Sequence, residues 1–184
     1  NRVNVTATYV HVNHFLELIG KKELKISTVA EVPITNLGYA EVVLVLDYSD
    51  SMIFADKYVR MREAAELLID TISANGVNTN VKFGLVPFSA VVHADIPAAY
   101  QRTDLPFDGC TMDRRYPYNI EEGANGSSND SKWGDHTVGG HPCPDVMAAG
   151  LKLLPLTDDL NLVKSTLAGY LPYLWTHIAA GAEF

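Results

Sequence analysis

The chain has 184 residues, enough for one domain with a sizeable core and a small appendage. It is 47% hydrophobic and 20% charged, an ordinary globular balance, and a net charge of −8 with no Lys/Arg cluster argues against a nucleic-acid partner. No stretch approaches the roughly 20 apolar residues that span a bilayer, and without an initiator Met or a signal peptide the chain is expected to be a processed or cut piece.

Residues 1–36 read as a strand–helix–strand unit of their own. Val3, Val5, Ala7 and Tyr9 alternate with Asn4, Thr6 and Thr8, the period of a strand. The alternation stops at Val10-His11-Val12, which predicts an end or a bend there. Residues 13–20 predict a short helical turn, with Asn13 as cap and Gly20 as stop. Leu24, Ile26, Thr28, Ala30 and Val32 predict a second strand. So small a unit cannot bury its own face, so it is expected to pack on the main domain or on another chain.

Residues 37–184 form the second region. The run Val42-Val43-Leu44-Val45-Leu46 reads as a strand buried on both faces, as in a parallel sheet. It ends in Asp47-Tyr48-Ser49-Asp50-Ser51, one carboxylate and two hydroxyls spaced two apart. They stand at the carboxyl end of a strand, where open α/β sheets bind ligands. Such hard oxygens suit a magnesium-type ion, which keeps several of its waters. The same residues also fit a strand followed by a helix N-cap, with Ser49 or Ser51 capping and Asp50 favouring the helix dipole.

A helix is predicted over Asp56 to Ala74, with Val59, Ala64, Leu67, Leu68 and Ile72 as its apolar stripe and Asn75-Gly76 as its stop. Val81 to Ser89 predicts the next strand, with Pro87 placing its far end outside the hydrogen-bonded ladder. Val91 to Ile96 predicts a short edge strand. Residues 97–150 then change character: Gly, Asn, Asp and Ser crowd residues 123–130, and Gly139-Gly140-His141-Pro142 follows. A loop-rich insertion of this length is either functional or disordered.

The two cysteines, Cys110 and Cys143, both lie in that insertion, with no CxxC or Cys/His zinc spacing around them. They read as a disulfide closing about 34 residues, worth about 3–4 kcal/mol by loop-closure reasoning, or else as two free thiols. A bridge would place the protein outside the reducing cytosol. Thr157-Asp158-Asp159 predicts the start of a further helix, capped by Thr157 or Asp158, with Leu160, Val163 and Leu167 inward. Ile178-Ala179-Ala180-Gly181 opens a last helix, for which Thr176 reads as an N-cap.

The order of apolar strand, Asp47-x-Ser49-x-Ser51 and long helix resembles the metal-ion-dependent adhesion site of von Willebrand factor type A domains. The resemblance implies an α/β, Rossmann-like fold with Asp47, Ser49 and Ser51 as the first metal loop and Thr176 as the second. The implied cation is Mg²⁺, with Mn²⁺ or Ca²⁺ as alternatives. Two positions depart from the family's habit: Asp50 stands where Gly is frequent between the serines, and Trp175 where Gly is usual before the threonine. A complete type A domain also has further strands and a third metal loop with another Asp, and the chain reaches Phe184 before either. The sheet is therefore expected to be roughly half built, the rest lying outside these residues, cleaved but bound, or supplied by a partner chain.

Nearly the whole chain is similar to TadG-type (TadE/TadG) proteins of Tad pilus assembly, which carry a type A domain behind a membrane anchor. The grounds are the unit around Phe15-Leu16-Glu17-Leu18-Ile19-Gly20, the Glu41–Met52 motif, Gly109-Cys110, and Pro155-Leu156-Thr157. This resemblance implies a non-enzymatic adhesion or pilus-assembly module, periplasmic or on the bacterial cell surface. Its cation would accept a carboxylate from a protein partner. The chain would join an oligomer or filament and meet the membrane only through an anchor outside these residues.

Two other readings stay open. One is a structural filament or envelope subunit with a vestigial metal site, assembled through its N-terminal strands. The other is an enzyme, since an Asp after an apolar strand also opens the haloacid-dehalogenase-type phosphatases. Those need a second Asp two residues on, where Ser49 stands, and no triad motif, HExxH or P-loop is present.

Overall fold

The computed structural model describes residues 2–12, 23–33, 39–74, 81–105, 107–120, 128–134 and 143–184. They form a mixed α/β structure with one disulfide, divided into two compact units, Asn1–Gly38 and Tyr39–Phe184.

The first unit is an antiparallel pair of long strands, β1 (Arg2–Val12) and β2 (Glu23–Pro33). Its register runs unbroken from Arg2↔Pro33 to Val12↔Glu23. The strand therefore does not stop or bend at Val10, as the lost alternation predicts. Backbone pairing with Glu23, Leu24 and Lys25 carries it through Val12, because the ladder needs no particular side chains. The helical turn expected over residues 13–20 lies outside the described residues.

The second unit is built on a mixed three-stranded sheet of order β3-β4-β7, with β3 spanning Ala40–Asp47, β4 Val81–Phe88 and β7 Leu154–Thr157. β3 and β4 are parallel, in register from Ala40↔Val81 to Asp47↔Phe88. β7 is antiparallel to β4, pairing Phe83↔Thr157 and Leu85↔Leu154 with a shift of register between them. Pro87 lies inside β4, not beyond its ladder. The Phe88 carbonyl accepts from the Tyr48 N–H, so the polar groups of Phe88 face β3. Those of Pro87 face the other side, where pairing with β7 has ended at Leu85, and no ladder bond is lost.

Successive β4 residues feed two cores. Phe83 and Leu85 pack with Leu46, with Ala65 and Ile69 of α1 (Lys57–Ala74), and with Val163 and Leu167 of α3 (Leu160–Gly169). Val86 and Phe88 turn the other way, onto Val92, Ile96 and Ala180 of α4 (Ile178–Ala182). β3 is the edge of this sheet, and Val43 and Val45 are 44% and 45% exposed. The expectation of a strand buried on both faces is thus corrected: the α1 side of β3 is covered, while on the other side, which α4 also contacts, Val43 and Val45 stay exposed.

The inner face of α1 differs from the predicted stripe as well. Tyr58, Met61, Ala65, Ile69 and Ile72 face the core, whereas Leu67 and Leu68 are 68% and 40% exposed. Both stripes keep helical spacing, and contact with β3 and α3 selects the one that carries Ala65 and Ile69.

The insertion carries more order than its composition indicates. Its β6 (Cys110–Thr111) pairs antiparallel with β5 (Val92–His93), the short strand expected just before the insertion, and Cys143 opens the short helix α2 (Cys143–Ala148). The expected bridge is present, Cys110 to Cys143 with Cα atoms 5.5 Å apart. The buried Arg102 guanidinium donates to Asp104 (2.9 Å) and Asp130 (3.2 Å), clamping two stretches of loop together. Thr157 closes β7 instead of capping α3. The cap is Asp159, whose carboxylate accepts from the N–H groups of Asn161 and Leu162, both at 3.0 Å.

Candidate functional site

The carboxyl end of β3 carries three of the predicted oxygens, those of Asp47, Ser49 and Ser51. Asp47 is the last residue of β3, paired with Phe88. The Ser49 N–H donates to Asp47 Oδ1 at 2.8 Å, a local turn that folds the chain back over the strand end. Oδ2 accepts no hydrogen bond from a described residue. Residues Asp50–Met52 form a 3-10 turn, with Ser49 at its N-cap position but making no side-chain cap bond. The capping alternative for Ser49 is therefore not realised. Instead the Ser49 and Ser51 hydroxyl oxygens lie 3.2 Å from each other. Ser49 is buried and Ser51 exposed, so the pair runs from the interior to the surface.

The second predicted loop is fastened to the first. The Asp50 N–H donates to the Leu174 carbonyl at 2.7 Å, and the Tyr173 N–H to the Tyr48 carbonyl at 2.8 Å. Two residues beyond Leu174, Thr176 stands exposed before α4. Its expected N-cap role is corrected: the N-cap position belongs to His177, which makes no side-chain cap bond. The His177 N–H reaches back to the Ser89 carbonyl at 2.8 Å, and its Nε2 lies 3.1 Å from Asp113 Oδ1, which joins the loop to the insertion. Non-glycine residues with positive φ bracket the site: Ala55 (55°), Asp56 (54°) and Leu174 (66°). A bulky residue such as Leu174 holds that conformation at a cost of about 1–2 kcal/mol, which the two bonds between the loops offset.

The donor set suits a hard cation. Asp47 supplies a carboxylate oxygen, and Ser49 and Ser51 supply neutral hydroxyls. Neighbouring oxygens on an octahedral magnesium with bonds of about 2.1 Å lie about 3.0 Å apart, close to the 3.2 Å between the two serines. The Lys57 ammonium donates to the Ser51 carbonyl at 3.3 Å, not to its hydroxyl. A different grouping, Asp108 with Cys110 and Cys143, brings its donor atoms within 4.8 Å of one another, but both sulfurs are consumed in the disulfide.

Two features beside this site escape the sequence reading. Ser89, one residue past β4, is fully buried, and its hydroxyl has no hydrogen-bond partner among the described residues. Its only sequence signal is its place, directly after the strand that pairs with Asp47. The second feature is a knot below α4. Glu183 Oε2 accepts from the Arg114 N–H and from Trp133 Nε1, both at 3.0 Å, while the Arg114 guanidinium lies over the Trp133 ring. It holds the insertion to the end of α4, and so to the helix that Thr176 precedes.

No protein-family model, curated protein or solved structure matches the chain.

Proposed function

We propose that this chain is a non-enzymatic adhesion or assembly module of the bacterial envelope, built on a von Willebrand type A-like domain of the TadG kind. It binds a divalent cation, Mg²⁺ or Mn²⁺, at Asp47, Ser49 and Ser51, with Thr176 on the adjoining loop. The observation that carries this reading is the turn at the end of β3, in which the Asp47 carboxylate accepts from the Ser49 N–H and the Ser49 and Ser51 hydroxyls lie 3.2 Å apart, with the Thr176 loop bonded to the same turn. The parallel β3–β4 pair and the open outer edge of β3 also fit a domain in which further strands flank the first. The Cys110–Cys143 bridge fits an oxidising compartment such as the periplasm or the cell surface.

The bound cation supplies an electrophilic contact for a carboxylate on a partner protein. Asp47 carries the charge that attracts the cation. Ser49 and Ser51 add oxygen donors without adding charge, so the site keeps a net attraction for an incoming anion. Asp50 is exposed beside them and would repel a partner carboxylate in the absence of the cation.

A second reading, a structural subunit with a vestigial site, is favoured by the long two-stranded ladder of β1 and β2, which pair only with each other among the described residues. Titration of Mg²⁺ and Mn²⁺ by calorimetry, with Asp47→Ala as control, separates the two. Saturable binding that disappears in Asp47→Ala is expected. A folded wild-type chain that binds neither ion would favour the structural subunit.

A further inference from the structure

We infer that the Ser89 hydroxyl is a positioning group of the Asp47 site, holding an ordered water at the inner end of the seam between the two loops and through it fixing the bound cation. This inference rests on the cation-binding reading.

Ser89 sits where the two halves of the site are sewn together. The preceding residue, Phe88, is paired with Asp47 and takes the Tyr48 N–H on its carbonyl at 2.9 Å. The Ser89 carbonyl takes the N–H of His177, the residue after Thr176, at 2.8 Å. Two successive carbonyls thus anchor the start of the Asp47–Ser51 turn and the end of the Thr176 loop. At this junction the Ser89 side chain is wholly shielded from solvent, and its oxygen has no partner among the described residues.

A buried hydroxyl without a partner costs on the order of 1–3 kcal/mol. Nothing in the packing asks for one here, since the next residues, Ala90 and Val91, are apolar and fully buried. Alanine would fill the position without that cost. Buried polar atoms that lack a protein partner are ordinarily met by water or by a ligand. A water on Ser89 would lie at the junction from which the Asp47–Ser51 turn and the Thr176 loop both spring. The other unpartnered hydroxyl near the motif, on Tyr48, belongs to the apolar cluster beside Tyr170 and not to this seam.

The test uses Mn²⁺ alone as probe, with affinity read by electron paramagnetic resonance and fold read by thermal melting, on the chain as it stands. Ser89→Ala is expected to weaken Mn²⁺ binding about tenfold while its melting temperature stays level or rises. Ser89→Thr, which keeps the hydroxyl, is expected to retain wild-type affinity. Should Ser89→Ala not fold, Ser89→Cys, similar in size but a weak hydrogen-bond partner, takes its place with the same expectation.

Wild-type affinity in Ser89→Ala, beside a wild-type chain that binds and an Asp47→Ala chain that does not, would overturn this inference and leave the cation site standing. Affinity and melting temperature falling together would also overturn it, because that is the mark of a packing role. No Mn²⁺ binding by the wild type would remove the cation-binding reading itself, whatever Ser89 does.

Discussion

Two tyrosines at the heart of the second unit show how differently one hydroxyl can behave. Tyr48 and Tyr170 are both buried, with rings edge to face at 5.3 Å. The Tyr170 hydroxyl donates to the Lys152 carbonyl at 2.6 Å, whereas that of Tyr48 has no partner among the described residues. Tyr170→Phe is therefore expected to cost about 1 kcal/mol, and Tyr48→Phe to be neutral or stabilising by up to about 1 kcal/mol, as measured by denaturant unfolding. Burial pushes the Tyr48 phenol up to about 12 from an ordinary 10.0. The folded state then holds this proton more tightly than the unfolded chain. Its contribution is fully present below pH 10.0 and is lost as the pH rises through about 12. Melting temperatures taken from pH 8 upward should fall less steeply in Tyr48→Phe, and an alkaline slope equal to wild type would contradict the assignment. None of this is visible in the sequence, where Tyr48 is the spacer between Asp47 and Ser49.

At the scale of elements, α4 depends on one small residue. A Cβ built on Gly181 would stand 2.4 Å from Phe88 Cδ1 and 2.6 Å from Cγ, so only glycine lets the helix lie on β4 at this distance. Gly181→Ala should push α4 off the Phe88 ring, cost about 1–3 kcal/mol as overpacking does, and be read as a lower denaturation midpoint. An unchanged midpoint would show that Phe88 repacks freely. The sequence marks this helix as rich in small residues, but which of them meets a ring is a tertiary fact. The same limit explains α1. Its length follows from periodicity, while the exposure of Leu67 and Leu68 follows from the face that β3 and α3 happen to cover. It also explains β7, whose Leu154-Pro155-Leu156-Thr157 is too short and too broken by proline to announce a strand.

Over the whole second unit, order in the insertion rests on covalent and ionic ties more than on regular structure. The bridge between Cys110 and Cys143 closes a loop with a sequence separation of 33, and Arg102, Arg114 and Glu183 fix its flanks. Reduction, or the double change Cys110→Ser with Cys143→Ser, is expected to cost about 3–4 kcal/mol of stability. Proteolysis should then fall first within residues 97–150. An equally resistant reduced chain would mean that the ion pairs suffice without the bridge.

What the sequence by itself determined is local. A run of β-branched and aliphatic residues that ends in an acid and two hydroxyls makes a strand, a turn and a set of hard oxygens on one short segment. Alternation made the strands of the first unit legible, helical period made α1 and α3 legible, and two cysteines in one insertion made the bridge legible. What only the tertiary structure decided is everything that needs two distant segments in contact. Leu174 bonds Asp50, His177 bonds Ser89, β3 lies at the edge with Val43 and Val45 uncovered, and Asp159 rather than Thr157 caps α3. The physical reason is that side-chain period fixes which residues could share a face. Which face is buried, and which hydroxyl is left without a partner, depends on neighbours far away in the chain.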